Sequence, residues 1–585
     1  MNDDIRGLWA TRRRFLRLVG LSAAGSLLAA CAPISAPSPT AAPAKPAESK
    51  PAESKPAEAK PAQAPAAGAA PTTAPVAKVG EAPKPTEAAK PTDAAKAAAQ
   101  AGGQPRRGGT LRVAQLSDIE PKRVHSVTLV NYQLQAQIYD TLTRYDGQLK
   151  PQPELAESWS WSGDNRTLTL KIRQGVTFHT GRALDAEDIK FNILRVKEER
   201  IASQMRPFAN DVKDIQTPDK ATVVLQFDEP RPAIFDMFEG LSIMDRETIA
   251  EAEEAQRLVG TGPFKWDRWI PGDRLTMTRN EGYWKSGLPY LDGITLQVVP
   301  DAPSALVNLE AGSVDVVVNP SETDVARLRS DPKFGVLISE AGGQYYSFGA
   351  NVTTAPLDNK KVRQAINYGI DRKRFVDTVL AGIGDPTSVP WPKHSLAYDP
   401  EQANFYAFNL DKSRQLLQEA GIGAGGIDVT LIANAANRNL AKAAQIAQAD
   451  LAKVNVRIKI EEQEPATFQQ LFTGRKIQQM WGNIFGFNNM YPTTLMVQAF
   501  PWRVAGNVSY FEHLDYARLV KAGQVATDAT EQKRIFRELT QLVLDESFMY
   551  PLSPQKNSWA LAGNVKGSED LAFGSVSFRG TWLDG

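Results

Sequence analysis

A long run of low-complexity sequence, residues 32–107, most strongly limits what this chain can fold into. The run consists mostly of Ala, Pro, Lys, Glu, Ser and Thr, and it repeats a five-residue unit at 45–49, 50–54 and 55–59. It contains almost no large apolar side chain, so folding could not bury enough surface to offset the lost conformational entropy. We therefore predict a disordered tether over 32–107 and a folded body that begins at Gly108.

The first 31 residues have the pattern of an export signal. The apolar run 18–30 is shorter than the roughly 20 residues that cross a bilayer, and Arg12, Arg13 and Arg14 precede it. A basic segment, a short apolar run and small residues at a cleavage site are typical of secretory signals. Residues 11–17 resemble a twin-arginine export motif, and residues 28–31 resemble the bacterial lipobox.

Cys31, which ends the lipobox-like stretch, is the only cysteine of the chain. The resemblance implies that its sulfur is diacylated, and two or more acyl chains would give stable membrane anchoring. The alternative is a buried cysteine at the end of a signal-anchor helix. We predict a twin-arginine lipoprotein signal over 1–31 and a lipid anchor at Cys31.

The body, residues 108–585, is longer than the roughly 250–300 residues at which single cores stop growing, so we expect two lobes. Apolar and polar residues alternate over 111–115, 168–172 and 223–227, which predicts strands. Asp185, Asp358 and Asp411 are predicted to cap helices. A strand near 429–431, a helix over 438–453 and a strand over 454–460 form a predicted βαβ unit, which favours parallel pairing.

Several stretches of the body occur in the order typical of one protein family. They are 139–146, 153–159, 170–181, 184–191, 260–264, 280–284, 309–315, 362–366, 370–372 and 416–421. Together they resemble the family 5 extracellular solute-binding proteins, the peptide-, nickel- and related ligand-binding components of ABC importers. The resemblance covers essentially the whole body, and it identifies a scaffold, whereas the function must be argued from the site.

The resemblance implies an α/β, two-lobed, periplasmic-binding-protein-like fold (type II, cluster C) with an inserted subdomain. Lobe I is predicted over 108–351 and 546–585, with the subdomain at about 150–255, and lobe II over 352–545. Hinge strands are predicted near 346–351 and 548–551. Ligand is expected to bind between the lobes and to be buried when they close.

The stretch 480–492 is the best candidate for a wall of the ligand cleft, because it is dense in aromatic and amide side chains. The alternative is a surface loop packed on its own aromatic rings. Other candidates follow the first strand or lie near the hinge. The predicted ligand-binding residues are Ser117, Asp118, His125, Tyr345, Tyr346, Asn351, Trp481, Phe485, Phe487, Asn488, Asn489, Tyr491 and Arg503.

One departure from the family bears on the ligand. Peptide-binding members place an aspartate in the 480–492 region to pair with the peptide ammonium group, but residues 476–511 contain no Asp or Glu here. A buried ammonium without a partner is costly. A free peptide amine is therefore less favoured, unless Asp118 or another carboxylate replaces the missing aspartate. A neutral or sugar-like ligand suits the amides and aromatic faces at least as well.

The sequence gives no support to metal, cofactor or nucleic-acid binding. The four histidines, at 125, 179, 394 and 513, have no H-x-x-x-H spacing, and the body lacks G-x-S-x-G and P-loop motifs. The formal net charge of +1 provides no field that favours nucleic acid. We predict no catalytic residues, no metal and no cofactor.

We therefore predict a membrane-anchored solute-binding lipoprotein, on the periplasmic or extracellular face, that delivers an oligopeptide, an oligosaccharide or a similar small ligand to the permease subunits of an ABC importer. The protein is expected to be a monomer. Two alternatives stay open: an exported hydrolase on the same tether, and a surface sensor or scaffold that binds ligand without transport.

Overall fold

The computed structural model describes residues 104–125, 129–339, 344–486, 490–572 and 574–585. The predicted signal, Cys31 and nearly all of the predicted tether therefore lie outside the described residues. Within the described parts, no helix is both long enough and apolar enough to cross a membrane.

The strands, in chain order, are β1 (Thr110–Gln115), β2 (Thr143–Tyr145), β3 (Pro151–Pro153), β4 (Ala156–Trp161), β5 (Thr167–Ile172), β6 (Val212–Asp219), β7 (Thr222–Phe227), β8 (Phe264–Ile270), β9 (Arg274–Arg279), β10 (Gly293–Val298), β11 (Val316–Val318), β12 (Phe334–Ile338), β13 (Gln344–Ala350), β14 (Ile427–Asn434), β15 (Val456–Gln463), β16 (Met480–Gly486), β17 (Met549–Gln555), β18 (Ser558–Ala562), β19 (Val565–Lys566), β20 (Glu569–Leu571), β21 (Ser575–Ser577) and β22 (Trp582–Leu583).

The α-helices, in chain order, are α1 (Leu129–Ile138), α2 (Ala186–Lys197), α3 (Arg206–Asp211), α4 (Ile234–Gly240), α5 (Ile249–Glu253), α6 (Ala302–Glu310), α7 (Glu322–Leu328), α8 (Lys360–Tyr368), α9 (Arg372–Thr378), α10 (Pro400–Ala403), α11 (Leu410–Glu419), α12 (Arg438–Leu451), α13 (Pro465–Thr473), α14 (Pro492–Gln498), α15 (Leu514–Val525) and α16 (Ala529–Glu546).

A seven-stranded mixed sheet forms the first large layer, in the order β12-β18-β11-β1-β10-β9-β8. Its centre is parallel, because β1 pairs in parallel with both β10 and β11, whereas the outer pairs are antiparallel. The predicted first strand is confirmed as β1. Leu111 and Val113 of this strand are completely buried, as the alternating pattern requires.

A smaller antiparallel sheet, in the order β4-β5-β7-β6, carries its own apolar core. Helix α2 packs on it and begins at a capping box. There the Asp185 side chain accepts from the backbone N–H of Glu187 and Asp188, while Asp188 bonds back to the N–H of Asp185. The predicted strands at 168–172 and 223–227 and the predicted cap at Asp185 are confirmed.

Three of the family-like stretches meet at one buried carboxylate, Asp140. It accepts hydrogen bonds from the Thr261 hydroxyl (3.0 Å), the Tyr283 hydroxyl (3.0 Å) and the Trp284 indole N–H (2.8 Å). Gly262 lies so close to the carbonyl of Ile138 that any Cβ would collide with backbone. These stretches therefore hold the scaffold together, which agrees with their structural interpretation from the sequence.

The second large layer is a five-stranded sheet in the order β15-β14-β16-β13-β17. Strands β14 and β15 pair in parallel over eight residue pairs, with α12 between them in the chain, so the predicted βαβ unit is confirmed. Two predicted helix caps are wrong by one or two residues. Asn359 rather than Asp358 caps α8, and Asn409 rather than Asp411 caps α11.

The chain passes between the two large sheets twice, between Ser339 and Gln344 and across residues 556–557. We call the part built on the seven- and four-stranded sheets lobe I, and the part built on the five-stranded sheet lobe II. The predicted hinge strands, 346–351 and 548–551, lie within or beside strands β13 and β17 of lobe II. The predicted lobe boundaries at 351 and 546 remain predictions.

Candidate functional site

The parallel strands at the centre of lobe I end at a common edge. Strand β1 leads into residues 116–118, and strand β11 leads into residues 319–322 at the start of α7. In α/β sheets, ligands bind beyond the carboxyl ends of parallel strands, because loops and helix N-termini gather there. This edge of lobe I is therefore the first half of a candidate binding site.

Lobe II has a matching edge, because β14 pairs in parallel with both β15 and β16. Strand β14 leads through residues 435–437 into α12. Leu440, in the first turn of α12, is buried and helps to fix the helix against the sheet.

One contact joins the two edges. The amide nitrogen of Asn439, on lobe II, lies 2.7 Å from the carboxylate of Glu322, on lobe I, and 3.2 Å from the hydroxyl of Tyr346. The carboxyl ends of the parallel strands in the two sheets therefore face each other. We call this region, residues 116–118, 319–322 and 435–439, the interlobe edge.

Three of the residues predicted from the sequence lie at or next to the interlobe edge. Ser117 is exposed there, and Tyr346 receives the Asn439 bond. Asp118 is already engaged, because its carboxylate accepts from the Trp269 indole N–H at 3.1 Å and the Gly272 backbone N–H at 2.7 Å. These two donors leave the Asp118 carboxylate less free to neutralise a ligand cation.

Three other predicted residues, Tyr345, Trp481 and Phe485, lie in the apolar core of lobe II. Strand β16 is the central strand of the sheet, so the alternative interpretation of 480–486 as a surface loop is wrong. Tyr345 and Phe485 form a cross-strand pair, and Trp481 lies opposite Gly349. Their aromatic rings contact protein in this structure, and this placement gives no support to ligand contact.

The remaining predicted residues are scattered. Asn351 is buried and bonds the Ile477 carbonyl at 3.1 Å, which holds two loops together. Arg503 is exposed and lies over the Phe500 ring. Phe487, Asn488 and Asn489 lie outside the described residues. The assignment of all these residues to ligand binding remains a prediction.

His125 lines a cavity of about 430 Å³ that is formed entirely by residues of lobe I, with Arg195 and Glu253 among its other walls. The walls of this cavity include no residue of the interlobe edge, and the assignment of His125 to ligand binding remains a prediction. Its Nε2 lies 3.0 Å from the Ser242 carbonyl oxygen. Burial, and to a smaller extent the nearby Arg195, lower the pKa of His125 to about 4.

A second contact between the lobes centres on Asp236 of α4, which is completely buried. Its carboxylate accepts from the Tyr145 hydroxyl of lobe I at 2.7 Å. It also accepts from the Tyr491 backbone N–H, at 3.1 and 3.2 Å to its two oxygens, and from the Thr494 hydroxyl, both on lobe II. The predicted residue Tyr491 thus takes part in the interlobe contact through its backbone.

Burial raises the pKa of Asp236 to about 6, while the hydrogen bonds from Thr494, Tyr145 and Tyr491 act in the opposite direction. Burial likewise raises the pKa of Glu239, on the same helix, to about 7. Perturbed carboxylates of this kind cluster at functional sites, although structural networks also produce them.

The match to known proteins decides the family. Residues 150–502, more than half of the chain, match the model of the bacterial extracellular solute-binding proteins, family 5, middle part. This chain belongs to the family 5 bacterial extracellular solute-binding proteins. The predicted family and the predicted fold class are confirmed, and so is the predicted capture of a solute for import.

Among the relatives of this family 5 protein are two of similar size. Heme-binding protein A of Haemophilus influenzae is 26% identical over 483 residues, which cover 77% of this chain and 87% of that protein. Di/tripeptide-binding protein 1 of Pseudomonas aeruginosa is 26% identical over 460 residues, which cover 71% and 83% of the two chains.

The solved structures show the same fold. HbpA2 of Haemophilus parasuis has a TM-score of 0.72 and 25% identity, over 81% of this chain and 99% of that one. The ABC transporter substrate-binding protein CtaP of Listeria monocytogenes has a TM-score of 0.73 and 20% identity, over 82% of this chain and all of that one. These similarities show that the chain has the two-lobed fold of the periplasmic binding proteins.

Asp236 and Glu322 are the candidate functional residues that the sequence predictions missed. A signal for Asp236 was present, because a single carboxylate within the apolar run 234–238 is unusual and points to a buried, paired role. Glu322 gave no such signal, because an acidic residue in the first turn of a helix is ordinary. Among the described residues, no three His, Cys, Asp or Glu side chains gather as a metal site.

Proposed function

We propose that this protein is an extracytoplasmic, lipid-anchored receptor that captures a small organic solute at the interlobe edge and delivers it to the transmembrane subunits of an ABC permease. Family membership supports solute capture. The sequence of residues 1–31 supports export and anchoring at Cys31, and the net charge of +1 provides no field that favours nucleic acid.

The Glu322–Asn439 hydrogen bond carries this proposal. It joins the first turns of two helices, one from each lobe, that follow parallel strands of the two large sheets, with 2.7 Å between the Asn439 amide nitrogen and the Glu322 carboxylate. A solute held there would contact both lobes at once, and its binding energy would favour the closed arrangement of the lobes. No covalent step is needed for capture and release.

We further propose that the preferred solute lacks a free primary ammonium group. Residues 476–511 contain no carboxylate, and Asp118 already accepts from Trp269 and Gly272. Burying an ammonium group without a partner would cost several kcal/mol, on the order of the desolvation penalty of an ion. Neutral polar solutes, including glycosides, carry no such penalty.

One observation favours a second candidate class, ligands with an ammonium group. Glu322 lies at the interlobe edge, is only partly buried and bonds the neutral amide of Asn439, so it could pair with a cation instead. The relatives whose names mention heme or di/tripeptides leave both classes open.

A thermal-shift panel tests the proposal. The probes are haemin, glutathione, a maltooligosaccharide, trialanine and N-acetyl-trialanine, because the last two differ in a single ammonium group. The melting temperature rises with the logarithm of probe concentration over Kd. We expect binding of at least one probe without an ammonium group, and no advantage of trialanine over its acetylated form.

The variant Glu322→Gln separates the two ligand classes, with Asp324→Asn on the same helix as the control for lost charge. If trialanine binds the parent protein more than tenfold tighter than N-acetyl-trialanine, and Glu322→Gln alone removes that difference, the ligand carries an ammonium group and our preference is wrong. Steady turnover of a peptide or glycoside by purified protein would instead support the hydrolase alternative.

A further inference from the structure

Helix α4 presents a carboxylate from within an apolar surface. Phe235 and Met237 flank Asp236 and are buried in the core of the four-stranded sheet. A buried carboxylate is tolerated only where hydrogen bonds replace its hydration. For Asp236 those bonds come from both lobes, one from Tyr145 and the rest from residues 491 and 494.

Apolar and charged contacts surround this carboxylate on the same surface. Met490, from lobe II, is buried in the apolar core of the four-stranded sheet in lobe I. Glu229 of lobe I pairs with Lys521 of lobe II at the exposed rim. The two lobes thus meet through three kinds of contact: the buried Met490 side chain, the hydrogen bonds of Asp236, and the Glu229–Lys521 ion pair at the solvent boundary.

All three hydrogen-bond partners of Asp236 are donors. An ionised carboxylate accepts from every one of them, whereas an asparagine amide would turn its NH₂ group toward at least one donor. When the lobes separate, water can solvate the Asp236 carboxylate, the Tyr491 N–H and the Thr494 hydroxyl. The interlobe bonds therefore stabilise the closed arrangement and not the open one.

We propose that Asp236 and Thr494 form a latch that positions segment 490–494 against lobe I and so determines how often the lobes are closed. This proposal rests on the proposed function, in which both lobes hold the solute. Because apparent affinity scales with the population of the binding-competent state, the latch would tune affinity without touching the ligand.

Cross-linking of the ligand-free protein measures the closed population directly. The full chain would carry Cys31→Ser to remove its single native thiol, with Glu229→Cys and Lys521→Cys as the reporter pair, since both native side chains are partly exposed at the rim. A short bismaleimide then joins the two thiols only when the lobes are together.

We expect Asp236→Asn and Thr494→Val each to slow cross-linking about tenfold, which corresponds to the loss of one charge-assisted hydrogen bond. The matched control is Thr493→Val, the same change on the neighbouring residue of α14, whose hydroxyl does not bond Asp236 in the described structure. The double variant Asp236→Asn/Thr494→Val should be no slower than the slower single variant, because the two residues act through one contact.

Two outcomes would overturn the latch. Thr494→Val could cross-link as fast as Thr493→Val, or Asp236→Asn could lower the melting temperature while the cross-linking rate stays unchanged, which would make Asp236 purely structural. The cross-linking test uses no ligand, so it stays valid even if none of the probes binds. If a probe does bind but the variants cross-link at the parent rate, the latch is refuted and the proposed function is not.

Discussion

At the scale of single residues, His125 has two ring nitrogens in different situations. Nε2 lies 3.0 Å from the Ser242 carbonyl oxygen, so this nitrogen carries the proton and donates. Nδ1 has no hydrogen-bond partner among the described residues. A second proton would give the buried ring a positive charge close to the Arg195 guanidinium. Burial and the positive charge of Arg195 therefore lower the pKa of His125 to about 4.

We predict that His125 makes the fold sensitive to acid. The unfolded chain takes up a proton at this ring below pH 6.5, whereas the folded protein does so only near pH 4. Stability should therefore fall as the pH drops from 6.5 to 4, by up to about 3 kcal/mol from this group alone. His125→Gln can keep an amide donor toward Ser242 but does not titrate.

The measurement is urea unfolding of both proteins at pH 7, 5.5 and 4. The difference in unfolding free energy, parent minus His125→Gln, should decrease steadily toward pH 4. Subtracting the variant removes the opposite contributions of Asp236 and Glu239, whose raised pKa values make the fold relatively more stable in acid. A constant difference across the three pH values would contradict the assignment.

At the scale of secondary-structure elements, strands β13 and β16 fit each other through glycine–aromatic pairs. Gly349 lies opposite Trp481, and Phe348 lies opposite Gly482. The indole of Trp481 covers Gly349 so closely that an added Cβ would overlap the ring. Gly349 and Gly482 therefore each provide the space for an aromatic side chain on the other strand.

We predict that Gly349→Ala destabilises lobe II by about 1–3 kcal/mol or more, because a methyl group would be forced into a packed aromatic ring. Gly423→Ala is the control, since a Cβ there would meet no atom within 4 Å. Adding Trp481→Leu to Gly349→Ala should recover part of the loss by removing the clash. Thermal unfolding measures all three variants, and equal stability of the two alanine variants would refute this packing argument.

Local patterns were enough to predict strands β1, β5 and β7 and the βαβ unit β14–α12–β15. The caps Asn359 and Asn409 were missed because aspartate and asparagine, one or two residues apart, are equally good N-caps. The pairing of strand β16 with β13 could not be predicted, because the two strands are more than 100 residues apart in the chain. The fit of Gly349 to Trp481, and of Gly482 to Phe348, depends on how the two strands pair, so neither strand shows it alone. Asp236 and Glu322 meet their partners across the lobes, which no single segment encodes.

At the scale of the whole molecule, the predicted signal, anchor and tether would set where the binding body works. A coil of the predicted tether's length would span roughly 50 Å, and fully extended polyproline II could reach on the order of 200 Å. The body could therefore meet its permease while Cys31 stays in the membrane. Export and anchoring rest on separate residues, so each can be tested alone.

Two sets of substitutions should separate export from anchoring. Arg12→Lys with Arg13→Lys keeps the positive charge but removes the arginine pair, so we expect the full-length chain to stay in the cytoplasm. Cys31→Ala keeps the arginines but removes the sulfur that would be acylated, so we expect export of a protein that carries no acyl chains. Cell fractionation and the mass of the mature N-terminus measure both results, and equal melting temperatures show that the body is intact. If the N-terminal peptide of the exported parent protein carries no acyl chains, residues 18–30 act as a signal anchor and the lipoprotein interpretation is wrong.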